Sequence, residues 1–344
     1  MTTLQDIASS LKVSVPLVSK VLSGNMGTTG CSITVRQAIL SQARRLNYQP
    51  NLVARSLRAG RTGSLGVFIH PLGAPGSDLI ERLLIGISEQ ASIYNHRLAI
   101  RFYQTDRDFL HSFTKSTRNE MDGLLVAGIF HPRLIRLYKA VEKHGMPVVT
   151  MCRSAPPRSN VVNVFCDDLQ VGYLPTRHLL EQGCRRIAYI RSIDARYQGY
   201  ANALREFGLQ TDFSLIYPSK NYDMDAGRDA VRSWIANGLE FDALVAESDH
   251  QALGAISELL SHGRRVPEDV KVFGVDDSPL CALGSVPISS VSLQIEEIGM
   301  QAVDVLMKRI NKEPAESVAI QPTLYLRASS GNYEEPGKQM ANAN

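Results

Sequence analysis

The chain has 344 residues, enough for two or three domains of about 150 residues each. Its 44% hydrophobic and 21% charged residues exclude a disordered tail protein, and its apolar runs, such as 65–69 and 124–127, are strand-sized and exclude a transmembrane helix. The net charge of +3 hides an asymmetry: residues 1–61 hold eight Lys and Arg against Asp6 alone, a head of +7 on a body of −4, which is the electrostatic footprint of a nucleic-acid binder.

Along the chain, Thr3-Leu4-Gln5-Asp6 matches a capping box, with Leu4, Ile7, Ala8 and Leu11 following at helical spacing. Ser14 is the next N-cap, Pro16 sits in the first turn, Leu17, Val18, Val21 and Leu22 form one face, and Gly24 stands where a C′ glycine is expected. Two helices of about two turns, joined at Lys12-Val13 and crossing closely at Ala8, make a helix-turn-helix. A third helix is expected from about Thr34 to Leu46, with Asn47 as its end, after a long loop over 24–32. In such a motif the second helix enters the major groove. Val15 and Pro16 offer apolar contact to a thymine methyl, Lys20 donates to guanine or to phosphate, and Thr3, Ser14 and Ser19 suit phosphate.

Leu4-Gln5-Asp6-Ile7-Ala8, Val13-Ser14, Val18-Ser19-Lys20-Val21-Leu22 and the segment from Tyr48 to Leu57 together resemble the signature of the lactose-repressor (LacI/GalR) family of transcription regulators. The similarity continues to about Ala328. The resemblance implies that Pro50–Arg58 is a hinge helix that folds on DNA, pairs with its twin and enters the minor groove. Leu57 is then the apolar wedge with Ala54 beside it, Arg55 and Arg58 reach phosphate or the groove wall, and Asn51 is a further DNA-contact candidate. A plain linker is the competing reading of that segment. Three features depart from the family pattern: Leu11 and Leu17 where small residues are usual, Lys12 where glycine is usual, and a longer 24–32 loop.

From Ser64 strand-like and helix-like segments alternate. Strands are expected at 65–69, 98–102, 123–127 and 148–151, with helices near 79–94, 111–119 and 133–144. The rhythm restarts with strands at 187–190, 215–217, 243–246 and 270–275, and helices at 172–182, 199–207, 225–237 and 249–262. The expected fold is therefore α/β: a three-helix head and hinge, then two doubly wound lobes of the periplasmic-binding-protein type, closing on a cleft at the strand C-termini. The domain limits are 1–49 for the head, 50–61 for the hinge, 62–330 for the body and 331–344 for a tail without heptads. The first lobe takes about 62–162 and 291–322, the second about 163–290 and 323–330.

Family phrases recur at Asp167-Asp168, at Arg196–Tyr200, and in Gly263–Val270 followed by Phe273–Asp277. By resemblance Arg196 and Asp276 hydrogen-bond a small ligand and Tyr222 stacks on it. Ser248 stands where asparagine is common, His70 follows the first strand, and Cys152 follows the fourth where aspartate is frequent. These six are the effector candidates. Arginine and carboxylate suit a neutral carbohydrate; a phosphorylated ligand is the alternative, with His70 or Arg153 supplying further cationic groups.

The expectation is a ligand-gated repressor in the cytoplasm, binding double-stranded pseudo-palindromic operator DNA as a homodimer, with no membrane partner, cofactor or metal. A sugar-binding transport protein shares the body, but the basic head and missing signal peptide oppose it. A Rossmann-type enzyme lacks its motifs: no GxGxxG, P-loop, GxSxG, HExxH or CxxC occurs. Five widely spaced cysteines read as reduced thiols.

Overall fold

The structure, a computed structural model, describes residues 2–23, 30–48, 61–128, 132–155 and 159–331. Two compact units emerge, 1–62 and 63–344. The candidates Asn51, Ala54, Arg55, Leu57 and Arg58, the glycine expected at 24 and the tail beyond 331 lie outside the described residues. Among the described residues no helix is long and apolar enough to cross a membrane.

In the first unit, helix α1 (Leu4–Leu11) opens on a reciprocal capping box: Asp6 N donates to Thr3 Oγ1, and Thr3 N donates to Asp6 Oδ2 at 2.8 Å. Lys12 ends it in the left-handed region, at φ 55° and ψ 39°, where its N–H closes on the Ala8 and Ser9 carbonyls. A Cβ-bearing residue there costs about 1–2 kcal/mol. Ser14 Oγ then accepts from Leu17 N, starting α2 (Val15–Ser23), and Ser32 Oγ accepts from Val35 N, starting α3 (Ile33–Arg45). Asn47 closes the last helix with a positive φ. Ile7, Ala8, Val18, Val21, Ile39 and Ala43 form the buried core of this unit.

The second unit begins with β1 (Ser64–Ile69), α4 (Leu79–Ile93), β2 (Arg97–Phe102), α5 (Asp106–Ser112), α6 (Lys115–Asn119), β3 (Gly123–Ala127), α7 (Pro132–Lys143), β4 (Val148–Cys152) and β5 (Asn163–Cys166). The second lobe follows with α8 (Asp168–Glu181), β6 (Ile187–Arg191), α9 (Asp194–Glu206), β7 (Ile216–Pro218), α10 (Met224–Ala236), β8 (Ala243–Val245), α11 (Asp249–Ser261), β9 (Lys271–Val275), α12 (Leu280–Leu283) and β10 (Ser289–Ser292). Helix α13 (Ile295–Ile310) and β11 (Val318–Ile320) return to the first lobe, and β12 (Thr323–Tyr325) to the second. The sheets run β11-β5-β4-β3-β1-β2, all parallel, and β12-β10-β9-β8-β6-β7, parallel except for β12.

Several expectations need correction. The first passage between lobes falls at Asp167 rather than near 162, because 163–166 pairs with β4 and β11 in the first sheet. The helix expected at 111–119 is two helices, since Thr105 and Thr114 each cap a separate start. Residues 213–215 form a 3₁₀ turn before β7, with Asp212 accepting from Ser214 N. Helices α8 and α9 begin four and five residues earlier than expected, at Asp168 and Asp194. This last difference places Arg196 in the first turn of a helix, not in a loop.

Three helix pairs cross through reciprocal glycines. A Cβ on Gly172 would strike the Arg196 carbonyl, and one on Gly199 the Leu169 carbonyl. Gly86 and Gly299 play the same part between α4 and α13, as do Gly227 and Gly254 between α10 and α11. The Gly172/Gly199 crossing sets α8 and α9 backbone to backbone and so brings Asp168 within reach of Arg196.

Candidate functional site: an interlobe cleft and a basic head

A small cavity of about 50 Å³ lies between the lobes. The first lobe lines it with Leu72, Leu79, Cys152, Arg153, Ile295 and Ile298; the second contributes Arg196, Tyr222, Glu247 and Asp276. One wall is thus mostly apolar and the other charged. The volume is about that of one or two waters, so a larger ligand enters only when the lobes part.

Asp276 leaves the end of β9 at φ 111° and Asp277 follows at 52°. Such backbone costs on the order of 1–3 kcal/mol per residue and persists only where its surroundings hold it. Here they do. Asp276 N donates to the Val291 carbonyl at 3.0 Å, Asp277 N to Ser290 Oγ at 3.0 Å, and Ser278 N to Asp249 Oδ2 at 2.7 Å. The carbonyls of both aspartates accept from Arg82 Nη1, at 3.0 and 3.2 Å. The Asp276 side chain is buried, and no hydrogen bond to its carboxylate occurs among the described residues. Burial lifts its pKa well above the usual carboxylate range; the Asp249 charge adds to this, while Arg196 and Arg82 oppose it. Burial also lifts Asp249, to about 6, against the hydrogen bonds from Ser278 and Ser290.

Arg196 is buried in the first turn of α9. Its Nε donates to Asp168 Oδ1 at 2.7 Å and its Nη1 to the Glu247 carbonyl at 3.3 Å. Burial alone would lower its pKa, but Asp168 and Glu247 outweigh that and the net shift is upward. Arg153 crosses the cleft from the first lobe: Nη1 lies 3.9 Å from Asp168 Oδ2, and Nη2 donates to the Tyr222 hydroxyl at 3.2 Å.

Of the six effector candidates, Cys152, Arg196, Tyr222 and Asp276 come together around the cavity. Cys152 has φ 77°, and burial pushes its thiol up to about 12, so it is a neutral wall rather than a nucleophile. Ser248 and His70 are not among the lining residues. Ser248 is the N-cap of α11, accepting from Gln251 N at 3.0 Å and donating to the Tyr222 carbonyl at 2.6 Å, so it fixes the loop that carries Tyr222. His70 meets the Pro71 and Gln104 carbonyls at 3.1 and 3.0 Å and stands edge-on to Tyr103. Sequence reasoning missed Glu247, Asp168 and Arg82. Glu247 is the residue before the N-cap of α11, where an acidic side chain at a buried strand end is itself an unusual signal.

In the head, Thr3, Ser14, Pro16 and Lys20 are exposed and Val15 and Ser19 half-buried, whereas Val18 is core. The start of α2 therefore presents Ser14, Pro16 and Lys20 to solvent.

A helix-turn-helix head joined to a two-lobed ligand-binding body defines a transcription regulator. Residues 176–330 match the periplasmic binding protein-like domain. A ribose operon repressor of Halalkalibacterium halodurans is 28% identical over 327 residues, covering 92% of this chain and 93% of that protein. Catabolite control protein A of Priestia megaterium is 26% identical, covering 93% and 96%. The transcriptional regulator CelR, solved with cellobiose, superposes with a TM-score of 0.69 at 26% identity over 96% of this chain and 100% of that one. The lac repressor dimer bound to operator and the anti-inducer ONPF shares the fold, with a TM-score of 0.80 at 19% identity over 96% and 99%. The chain is a regulator of transcription, similar over nearly its whole length to repressors of the lactose-repressor (LacI/GalR) type.

Proposed function

We propose that this regulator is a repressor that binds a pseudo-palindromic operator as a homodimer and is gated by a small carbohydrate in the interlobe cleft. In this reading residues 1–49 are the DNA-reading head, 50–61 the hinge, and 62–330 the effector-binding and dimerising body, and the protein works in the cytoplasm beside its DNA. Lys20 reads a base edge, Val15 and Pro16 contact thymine methyls, and Thr3, Ser14 and Ser19 hold phosphate. Asn51, Ala54, Arg55, Leu57 and Arg58 act in the minor groove, with Leu57 as the wedge.

One observation carries the effector reading: Asp276, buried and held in a strained conformation by five hydrogen bonds on its own and flanking backbone, keeps a carboxyl group with no hydrogen-bond partner among the described residues at the cleft wall, beside Arg196. Two cationic and several acidic groups facing an apolar wall suit a ring with hydroxyl donors and acceptors on its edge and C–H groups on its face. That CelR was solved with cellobiose supports the ligand class. The test starts from a random duplex library: selection should return an inverted repeat, and binding to it should fall steeply with salt. Titration of a sugar panel into that complex should release or strengthen it. Equal retention of scrambled and palindromic duplexes would overturn the operator reading.

A further inference from the structure

The cleft is lined by two acids, Glu247 and Asp276, whose side chains its arginines do not hydrogen-bond among the described residues. Both are buried, beside the guanidiniums of Arg153 and Arg196. Arg82 is already committed to a two-pronged bond with Glu296, at 2.6 and 3.1 Å. Arg196 directs Nε to Asp168 and Nη1 to the backbone carbonyl of Glu247, not to its carboxylate. Arg153 faces Asp168 and the Tyr222 hydroxyl.

Glu247 shows the consequence most clearly. It is 2% exposed and lines the cleft. Its Oε1 accepts from the Tyr189 hydroxyl at 2.8 Å and from Ile193 N at 3.2 Å. Its Oε2 is fully buried and has no hydrogen-bond partner among the described residues. A purely structural carboxylate would be bonded at both oxygens, since an unmatched buried acceptor forfeits its hydration for nothing. Asp276, on the same wall, is likewise without a hydrogen bond to its carboxyl group among the described residues.

We propose that the effector carries a protonated amine, as an amino sugar or amino polyol does, whose N–H donors reach Glu247 and Asp276, and that these two acids disfavour sugar phosphates. Glu247 is then the residue that sets this preference. The proposal rests on the cleft being the carbohydrate site.

The experiment is calorimetric titration of the full chain with matched sets on the glucose, galactose and mannose frameworks: the hexosamine, the parent hexose and the hexose 6-phosphate. On the framework that binds, the hexosamine should be about ten- to a hundredfold tighter than the parent, the value of one to two charge-assisted bonds, and the phosphate should give no heat. Glu247→Gln keeps the Oε1 acceptor for Tyr189 and Ile193, so the fold should survive, as near-ultraviolet circular dichroism would show. It should cut the amine preference, read as the ratio of hexosamine to parent-hexose affinity, at least tenfold. A parent hexose or a phosphate that binds wild type as tightly as the hexosamine overturns the amine assignment alone, as does a Glu247→Gln variant that keeps the preference. A panel in which no sugar binds removes the carbohydrate reading, and the amine assignment with it.

Discussion

Arg82, on the first lobe, donates to the backbone carbonyl of Asp276, on the second, at 3.0 Å. One guanidinium therefore joins the lobes at the residue whose carboxylate lines the cleft, and Glu296 on α13 holds it in place with both carboxylate oxygens. Burial alone would lower the Arg82 pKa, but Glu296, Asp78 and Asp277 raise it overall, so the latch stays charged. A motion that parted the lobes would break these bonds, so the contact couples cleft geometry to lobe position.

Replacing Arg82 with Ala should favour the open arrangement. A half-buried charge-assisted contact is worth about 1.5–3 kcal/mol before solvent screening, so effector affinity should fall about tenfold, with dissociation faster and association little changed. Stopped-flow titration separates the two rates, and small-angle scattering of the ligand-free variant should show a larger radius of gyration. An unchanged dissociation rate would remove the latch.

Arg196 and Asp276 should respond differently to mutation, although the sequence presents them as equivalent ligand residues. Arg196→Ala removes the 2.7 Å partner of the buried Asp168 carboxylate and leaves it Arg153 at 3.9 Å; breaking a buried pair costs up to about 3–5 kcal/mol. The variant should melt markedly lower, and its lost effector response would report unfolding as much as binding. Asp276→Asn keeps the shape of a buried carboxyl group whose ionisation burial already opposes, so stability should hold while the effector response disappears. Thermal unfolding beside effector titration of both variants decides the point; equal melting losses would contradict it.

The buried acids also set a pH dependence. Asp249, at about 6, binds its proton more tightly folded than unfolded, and Asp276 shifts the same way. The stability they contribute is therefore fully present below about pH 4 and is lost as pH rises through about 6. Between pH 4 and 7 the melting temperature of wild type should fall relative to that of Asp249→Asn, which carries no such proton. A difference that stays constant with pH, or one of opposite sign, would show that Asp249 is not held protonated.

Much of the fold was legible because alternating apolar runs and helical spacing report directly on burial. What was not legible was buried polar structure. Strand β10 reads Ser-Ser-Val-Ser yet is buried throughout, because its serine hydroxyls are matched: Ser289 Oγ donates to the Arg327 carbonyl at 3.0 Å and Ser290 Oγ to Asp249 Oδ1 at 2.5 Å. Pattern reading scores such a segment as loop. Helix α13 was passed over although its apolar spacing is regular, since its partner α4 lies more than two hundred residues earlier. At the site, Arg196 and Asp276 stood out through sequence phrases, but Asp168, Glu247 and Arg82 acquire their roles only through partners brought close by the fold. Ser248 was expected at the ligand, and its hydroxyl is instead spent on the α11 cap and the Tyr222 loop.

The head yields the last prediction. Val18 and Val21 are buried on the inner face of α2, while Pro16 and Lys20 lie on the outer face with Ser14 just before the helix. The exposed face is short and carries a single cation, so specificity concentrates on few groups. If Lys20 donates to guanine O6 or N7, Lys20→Ala should cost about 1–3 kcal/mol per half-site and relax preference at one base pair in each half. If it meets only phosphate, affinity should fall evenly across sequences and the salt dependence should shallow by about one ion per half-site. Selection from a randomised operator library with wild type and variant, followed by anisotropy titrations at several salt concentrations, distinguishes the two. The base-reading assignment predicts that discrimination is lost at one symmetric pair of positions while the remaining positions keep theirs, and a uniform loss would assign Lys20 to the backbone.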